Sequence, residues 1–212
     1  MSVTSKERII AAINKEEVDR VPIGPPFQGY WSLGVEEVKV RDSIEHPMMA
    51  AKAQMAIVES CKFDLLESMW DWLSPVEALG CEVRIPDFGS IPTWSNIING
   101  PEDLDKVVIP EPKKDYRFEA SMETTRILAQ ELGKEKFLVH FVHSLLRKAT
   151  EVMKEYLKVA VTSDADGIIL CDPTASGSLI SKEHFVEFSQ PYMRECGKIV
   201  RDAGKYLLIH IC

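Results

Sequence analysis

Apolar and polar positions along the chain change period several times, from about 3.6 residues to about 2 and back. Thr4-Ser5-Lys6-Glu7 is a capping box that opens a helix reaching about Asn14. A polar turn covers 15–20, and a short strand follows at 21–23 before Gly24-Pro25-Pro26 stops it. Pro47 suits the first turn of a helix that runs to about Cys61. The segment 63–69 contains the next strand, and 71–79 reads as a loop and short helix stopped by Gly80. The stretch 81–99 mixes β-formers with Pro86, Gly89 and Pro92, the pattern of a hairpin excursion. A helix spans 116–132 and ends at Gly133; a strand at 137–141 then leads into a long amphipathic helix over 142–162. The apolar run 167–171 has the character of a buried parallel strand. Helices at 182–188 and 191–203 precede a last strand at 206–211.

This alternation predicts an α/β fold with a parallel sheet of about five strands and helices as crossovers. No repeat, low-complexity tract or linker divides the sequence, so residues 1–212 read as a single domain with the excursion at 81–99. Neither a GxGxxG fingerprint nor a P-loop is present. With 45% apolar residues the chain can bury a core, and its net charge of −8 comes from intermixed acids and bases. That balance argues against nucleic acid or an anionic membrane as the main partner. The most basic stretch, Arg147-Lys148 with Lys154 and Lys158, is interrupted by Glu151 and Glu155 and reads as a solvated helix face. The five cysteines form no CxxC pair, residues 1–10 do not resemble a leader, and no apolar run reaches membrane-spanning length. A reduced, cytoplasmic setting is the expectation.

Ligands of parallel α/β folds bind beyond the C-terminal ends of the strands. The polar residues expected there are Asp71, His140, Asp172, Thr174, Ser176, His210 and Cys212. Two residues apart on a strand, His210 and Cys212 leave the same face, and imidazole and thiolate are natural zinc ligands. The other reading is a core histidine beside a buried cysteine. Zinc normally takes a third protein ligand, so this pair alone is expected to bind it weakly. Asp71 stands between Trp70 and Trp72. It is either a general acid with a raised pKa or part of a surface loop whose tryptophans pack inward. Asp172 before Pro173 either orients a ligand or metal-bound group or serves as turn chemistry. Gln28, His140 and Ser176 are candidate substrate contacts, and His143 is read as packing.

Several segments resemble one family in order. Glu7-Arg8-Ile9-Ile10-Ala11-Ala12-Ile13-Asn14 with Asp19-Arg20-Val21-Pro22 is similar to the opening of the uroporphyrinogen decarboxylase superfamily, and Glu77-Ala78-Leu79-Gly80-Cys81-Glu82-Val83 to the segment after its second strand. The strongest likeness is Asp164-Ala165-Asp166-Gly167-Ile168-Ile169-Leu170-Cys171-Asp172-Pro173-Thr174-Ala175-Ser176, continued by Leu179-Ile180-Ser181 and Phe188-Ser189-Gln190-Pro191-Tyr192. His210-Ile211-Cys212 resembles the zinc motif of the corrinoid-dependent, methylcobamide:coenzyme M type methyltransferase branch.

The resemblance implies a (β/α)8 TIM-type barrel, incomplete here, with its site at the strand ends. In the methyltransferase branch zinc binds a thiol as thiolate, which attacks the methyl group of a methyl-corrinoid (methylcobalamin) carried by a corrinoid protein. The resemblance gives His210 and Cys212 as zinc ligands, with a downstream cysteine as the third, and a small thiol or tetrahydrofolate as acceptor. Asp71 falls where the decarboxylase branch keeps its catalytic aspartate, and Asp172 is the second candidate catalytic residue. That branch binds substrate carboxylates with arginines in its first loop; here Gly24-Pro25-Pro26-Phe27-Gln28-Gly29-Tyr30 has none, and Arg20 is expected to point to the opposite end of the sheet. A decarboxylase, or an inactive barrel that only binds, are the alternatives to methyl transfer. Against the family the chain looks truncated after Cys212 and shortened inside. The helix from Val142 follows its strand too closely for a parallel crossover, and open sheet edges favour self-association.

Overall fold

The computed structural model describes residues 3–26, 28–68, 71, 73–93, 95, 97–100, 102–103, 107–143, 147–172 and 175–211, with the backbone alone for 143 and 147–149. Four strands, β1 (Leu65–Glu67), β2 (Phe137–His143), β3 (Gly167–Cys171) and β4 (Tyr206–His210), pair in parallel in the order β1-β2-β3-β4. The helices α6 (Tyr116–Leu132), α7 (Arg147–Ala160) and α9 (Gln190–Asp202) make the three crossovers. Strands that follow one another in sequence and in space, each returned by a helix, form the wall of a (β/α)8-type barrel. The sheet is not closed, and β4 has no second strand partner among the described residues.

Register decides what each face carries. Leu138 packs with Val58 of α4 (Pro47–Ser60) and with Ile127 and Leu128 of α6. Alternation then turns His140 toward the helices and Phe137 and Val139 to the opposite face. On that opposite face Val139, Gly167 and Tyr206 stand in one row. The rings of Phe137 and Tyr206 meet over Gly167 with centroids 5.4 Å apart. A Cβ on Gly167 would lie 2.7 Å from the Tyr206 carbonyl oxygen, so only glycine fits there.

Three parts differ from the pattern-based expectation. Residues 21–23 do not form a fifth strand. The Ile23 carbonyl accepts the N–H groups of Asp64 (2.7 Å) and Leu65 (3.3 Å), but its own N–H donates to the Asp64 carboxylate at 2.8 Å. Pro22, Pro25 and Pro26 have no N–H to offer a ladder. Next, 28–45 folds into α2 (Gln28–Val35) and α3 (Val40–Glu45), which the pattern did not announce. Two glycines weaken the local signal, and packing of Leu33, Val40 and Ile44 against Ala50 and Ala53 of α4 supplies what propensity does not. Last, β2 runs on to His143, and α7 is itself the crossover to β3, so room exists for the parallel connection. In the excursion, Val83 and Thr93 form an isolated antiparallel bridge and Arg84 N–H donates to the Pro92 carbonyl at 3.2 Å. No helix among the described residues is long and apolar enough to cross a membrane.

The N-terminal end of the sheet is held by charge. Thr4 caps α1 (Ser5–Ile13) with the reciprocal Glu7 bond of a capping box. That orients Arg8 of α1, whose Nη1 donates to Asp64 Oδ1 at 2.8 Å while Nε and Nη2 hold Asp19 at 2.6 and 2.8 Å. Arg20 adds bonds of 2.6 and 2.8 Å to the two Asp64 oxygens. Burial pushes the Asp64 carboxyl up, but bonds from Arg20, the Ile23 amide, Ser5 and Arg8 outweigh it and hold it down at about 2.

A carboxyl whose folded pKa lies below its unfolded value stabilises the fold above the unfolded value and ceases to do so as pH falls through the folded one. Asp64→Asn removes the buried charge that Arg8 and Arg20 share and is expected to cost about 3 kcal/mol at pH 7 in urea denaturation. The wild type should lose the same margin between about pH 4 and pH 2, so the difference between wild type and variant should close over that range. A variant as stable as the wild type at pH 7 would show that this cluster does not anchor the sheet.

Candidate active site

At the exit of β1, Asp71 is fully buried and its Oδ1 accepts the Leu73 N–H at 3.0 Å, which turns the chain into α5 (Ser74–Ala78). Its Oδ2 lies 3.0 Å from Nε of Arg117, itself fully buried, and the same nitrogen lies 3.2 Å from Glu77 Oε2 of α5. Arg117 stands in the first turn of α6, a helix that Asp115 caps. Asp115 Oδ1 accepts the N–H groups of Arg117 and Phe118, each at 3.1 Å, and its Oδ2 accepts the Tyr156 hydroxyl of α7 at 2.7 Å. One capping carboxylate thus fixes where α6 begins, ties it to α7 and delivers Arg117 to the β1 exit. Burial raises the Asp71 carboxyl to about 6; Arg117 and the Leu73 amide oppose that rise, and Asp115 and Glu77 add to it. Burial, and then the Asp71 charge, push the Tyr30 phenol above its usual range. Trp70 and Trp72 lie outside the described residues.

His140 is not at a strand end. It is wholly buried in the middle of β2, on the face turned to α6. Its Nδ1 is 2.9 Å from Thr125 Oγ1 and 3.4 Å from Ser68 Oγ, its ring meets Phe118 edge-on at 5.9 Å, and its Nε2 has no hydrogen-bond partner among the described residues. Desolvation lowers its pKa to about 3, which leaves the ring neutral. Gln28 is likewise occupied: Nε2 donates to the carbonyls of Pro25 (2.9 Å) and Leu65 (3.0 Å), and Oε1 accepts the Glu67 N–H at 3.4 Å. Its amide covers the free edge of β1, in place of the strand expected at 21–23.

At the exits of β3 and β4 the chain brings Asp172 and His210 together. The Asp172 N–H donates to the His210 carbonyl at 3.0 Å, its carbonyl accepts the Ala175 N–H at 3.2 Å, and its buried Oδ2 accepts the Ser189 hydroxyl at 2.6 Å. Ser189 ends a single π-helical turn, Phe185–Ser189, that follows the short α8 (Lys182–His184) and leads into α9. Such turns recur at functional sites. Ser176 is half-buried and shares a hydroxyl contact of 2.8 Å with Ser178 inside the same loop. His210 is half-buried and its Cα pairs with that of Cys171. Cys212 and Thr174 lie outside the described residues. Among the described residues no three His, Cys, Asp or Glu side chains converge on a metal-sized gap.

The sequence pattern of the uroporphyrinogen decarboxylase (URO-D) family matches residues 4–144 and 136–212. The chain belongs to this family. The family pattern breaks and restarts across β2, and alignments with relatives run to 246 positions, longer than the 212-residue chain, so those relatives carry residues that this chain lacks. The methylcobamide:CoM methyltransferase MtbA of Methanosarcina acetivorans is 23% identical over 99% of this chain and 70% of its own length. MtaA of Methanosarcina barkeri, also a methylcobamide:CoM methyltransferase, is 23% identical over 99% of this chain and 69% of its own. A uroporphyrinogen decarboxylase from Nitratiruptor is 26% identical over 74% of this chain and 54% of its own. In structure, a methyltransferase from Methanosarcina mazei superposes on 100% of this chain and 70% of its own with a TM-score of 0.80 at 21% identity, which shows the shared fold.

Within this URO-D chain, the residue that pattern reading passed over is Arg117. A signal existed: Arg117, Ser121 and Thr125 recur every four residues and are all buried, a polar stripe on one face of α6.

The position of His140 yields a test. A histidine held neutral by burial stabilises the fold above its unfolded pKa and opposes folding as pH drops below about 6.5. The His140 ring resonances are therefore expected to stay constant from pH 5 to pH 8 in NMR titration. Movement through that range would place the ring in contact with solvent.

Proposed function

We propose that this chain moves a methyl group from a methylated corrinoid, carried by a corrinoid protein, to a thiol such as coenzyme M or to tetrahydrofolate. Support comes from the methylcobamide:CoM methyltransferases that align along 99% of the chain. The observation that favours this reading over decarboxylation is the use of the arginines near the first loop; Arg117, at the β1 exit, is already shared by Asp71 and Glu77. A uroporphyrin-like substrate brings many carboxylates, each needing a donor or cation once it leaves water. Arg8 and Arg20 are engaged by Asp64 at the N-terminal end of β1, away from the strand exits. The first loop offers Gln28 and Tyr30 in place of arginine, and the Gln28 amide is held by backbone groups. Decarboxylation is the second reading, favoured by the buried Asp71 at the β1 exit with its carboxyl at about 6. A barrel that only binds, or that self-associates along the β4 edge, is the third.

His210 and Cys212 would hold zinc, and a nitrogen–sulfur donor pair suits that ion. Bound there, it supplies the acceptor thiol as thiolate at neutral pH. Asp172 acts as a positioning residue: it grips the His210 carbonyl through its N–H and the start of α9 through Ser189. Asp71 is the carboxyl that gains or releases a proton near neutrality.

In zinc-supplemented buffer the protein is expected to demethylate methylcobalamin, followed by absorbance, when given a thiol or tetrahydrofolate. A chelator should abolish the thiol reaction, Cys212→Ala should lose most bound zinc by elemental analysis, and uroporphyrinogen should release no carbon dioxide. Carbon dioxide release without demethylation across the acceptors tried would overturn the assignment. Asp172→Asn keeps the backbone bond and an acceptor for Ser189. It is expected to change stability by less than about 1 kcal/mol but, by removing the negative charge that would orient a ligand or metal-bound group, to lower turnover roughly tenfold or more; unchanged turnover would leave Asp172 a turn residue.

A further inference from the structure

Arg117 is a fully buried guanidinium whose Nε, Nη1 and Nη2 all lack a hydrogen-bond partner among the described residues. Its two charge contacts, to Asp71 and Glu77, are both made by Nε, at 3.0 and 3.2 Å. A single N–H cannot align on two carboxylates at once, and Asp71 Oδ2 is itself without an aligned donor. Leaving such groups unpaired in a dry site is costly, so a shared, unsettled cation calls for a reason. The two acids differ in the water they see: Asp71 is sealed, whereas the Glu77 side chain is 34% exposed and lines a cavity of about 240 Å³ with Asp115 and Tyr116.

The groups whose charge Asp71 feels are Arg117 and Asp115 from α6 and its cap, and Glu77 from α5; the phenols of Tyr30 and Tyr116 lie within reach of its field. With all three acids ionised, one guanidinium faces three carboxylates. The added proton goes to the acid that water solvates least, which is Asp71.

We propose that Arg117 is a positioning residue that exchanges partners with the protonation of Asp71. Ionised Asp71 holds the guanidinium; on taking a proton from solvent it releases Arg117 to Glu77. Through this exchange Glu77, at the surface, sets the proton affinity of the carboxyl at the β1 exit. The inference rests on the reading of Asp71 as the proton-handling group of the proposed reaction.

The test is a carbon-13 NMR titration of the protein with labelled aspartate carboxyls, the Asp71 signal assigned by its loss in Asp71→Asn. Glu77→Gln is expected to lower the Asp71 midpoint by roughly one pH unit, because Arg117 is no longer divided. Glu111→Gln, which removes a charge from the same cavity without touching Arg117, is expected to leave it in place. In the wild type the Arg117 Nε resonance should shift through the same midpoint as Asp71, and in Glu77→Gln it should follow the lowered midpoint. An Asp71 midpoint unmoved by Glu77→Gln, or moved equally by both variants, would overturn the exchange. The titration needs no turnover, so absence of methyl transfer would remove the functional reading without deciding this one.

Discussion

Burial of charge at both ends of β1 is the constraint on which the rest of the structure turns. This strand is three residues long, and a buried aspartate stands before it and another after it. A carboxylate taken out of water must be answered by a cation with good geometry or take up a proton. The two ends resolve this differently. Asp64 is met by two guanidinium groups and a backbone amide, all within 2.8 Å, and is held ionised at about 2. Asp71 is met by one guanidinium that lacks aligned hydrogen bonds and is also claimed by Glu77, and its carboxyl rises to about 6. The N-terminal end of the strand is thereby a clamp, whereas the C-terminal end leaves its carboxyl incompletely answered.

The same division runs through the sheet. Below, the lysine side chains tie strands and helices through backbone carbonyls: Lys136 Nζ donates to Phe63 at 2.8 Å, and Lys205 Nζ to Ser163 and Ala165 at 2.9 and 2.7 Å. Above, the links pass through carboxylate residues: Asp115 to Tyr156, Asp172 to Ser189 and His210. A barrel wall built this way is clamped at its N-terminal end and carries its polar candidate groups at the strand exits. Arg117 and Asp172 both depend on a helix start, the first cap of α6 and the turn that leads into α9. Where those helices begin is therefore as consequential for the site as which residues they carry.

Much of the fold was legible because the local signals were strong and mutually consistent. The α6 span was readable as 116–132, since one helical run ends at Gly133; the Asp115 cap became visible only in the structure. β3 was readable as five consecutive apolar positions, and the Thr4 to Glu7 capping box marks α1 as it stands. The failures share a cause. Residues 21–23 look like a strand by composition, but the proline spacing and the Asp64 carboxylate take away the ladder bonds. Helices α2 and α3 are held by contacts with α4 that no window of local sequence contains.

By itself the sequence determined the alternation of strand and helix, the family, and the residues that can reach the strand exits, because period, caps and motifs are local properties of the chain. The tertiary structure alone decided which of those residues face the site. A one-residue difference in register sends a side chain to the opposite side of the sheet. That is why His140, placed by sequence near the other candidates, lies sealed against Thr125 and Phe118 of α6. It is also why Arg117, more than forty positions from Asp71 in sequence, becomes its partner. Distances across a fold and the loss of water around a charge exist only once helices have packed on the sheet, and those two quantities set the electrostatics at the β1 exit.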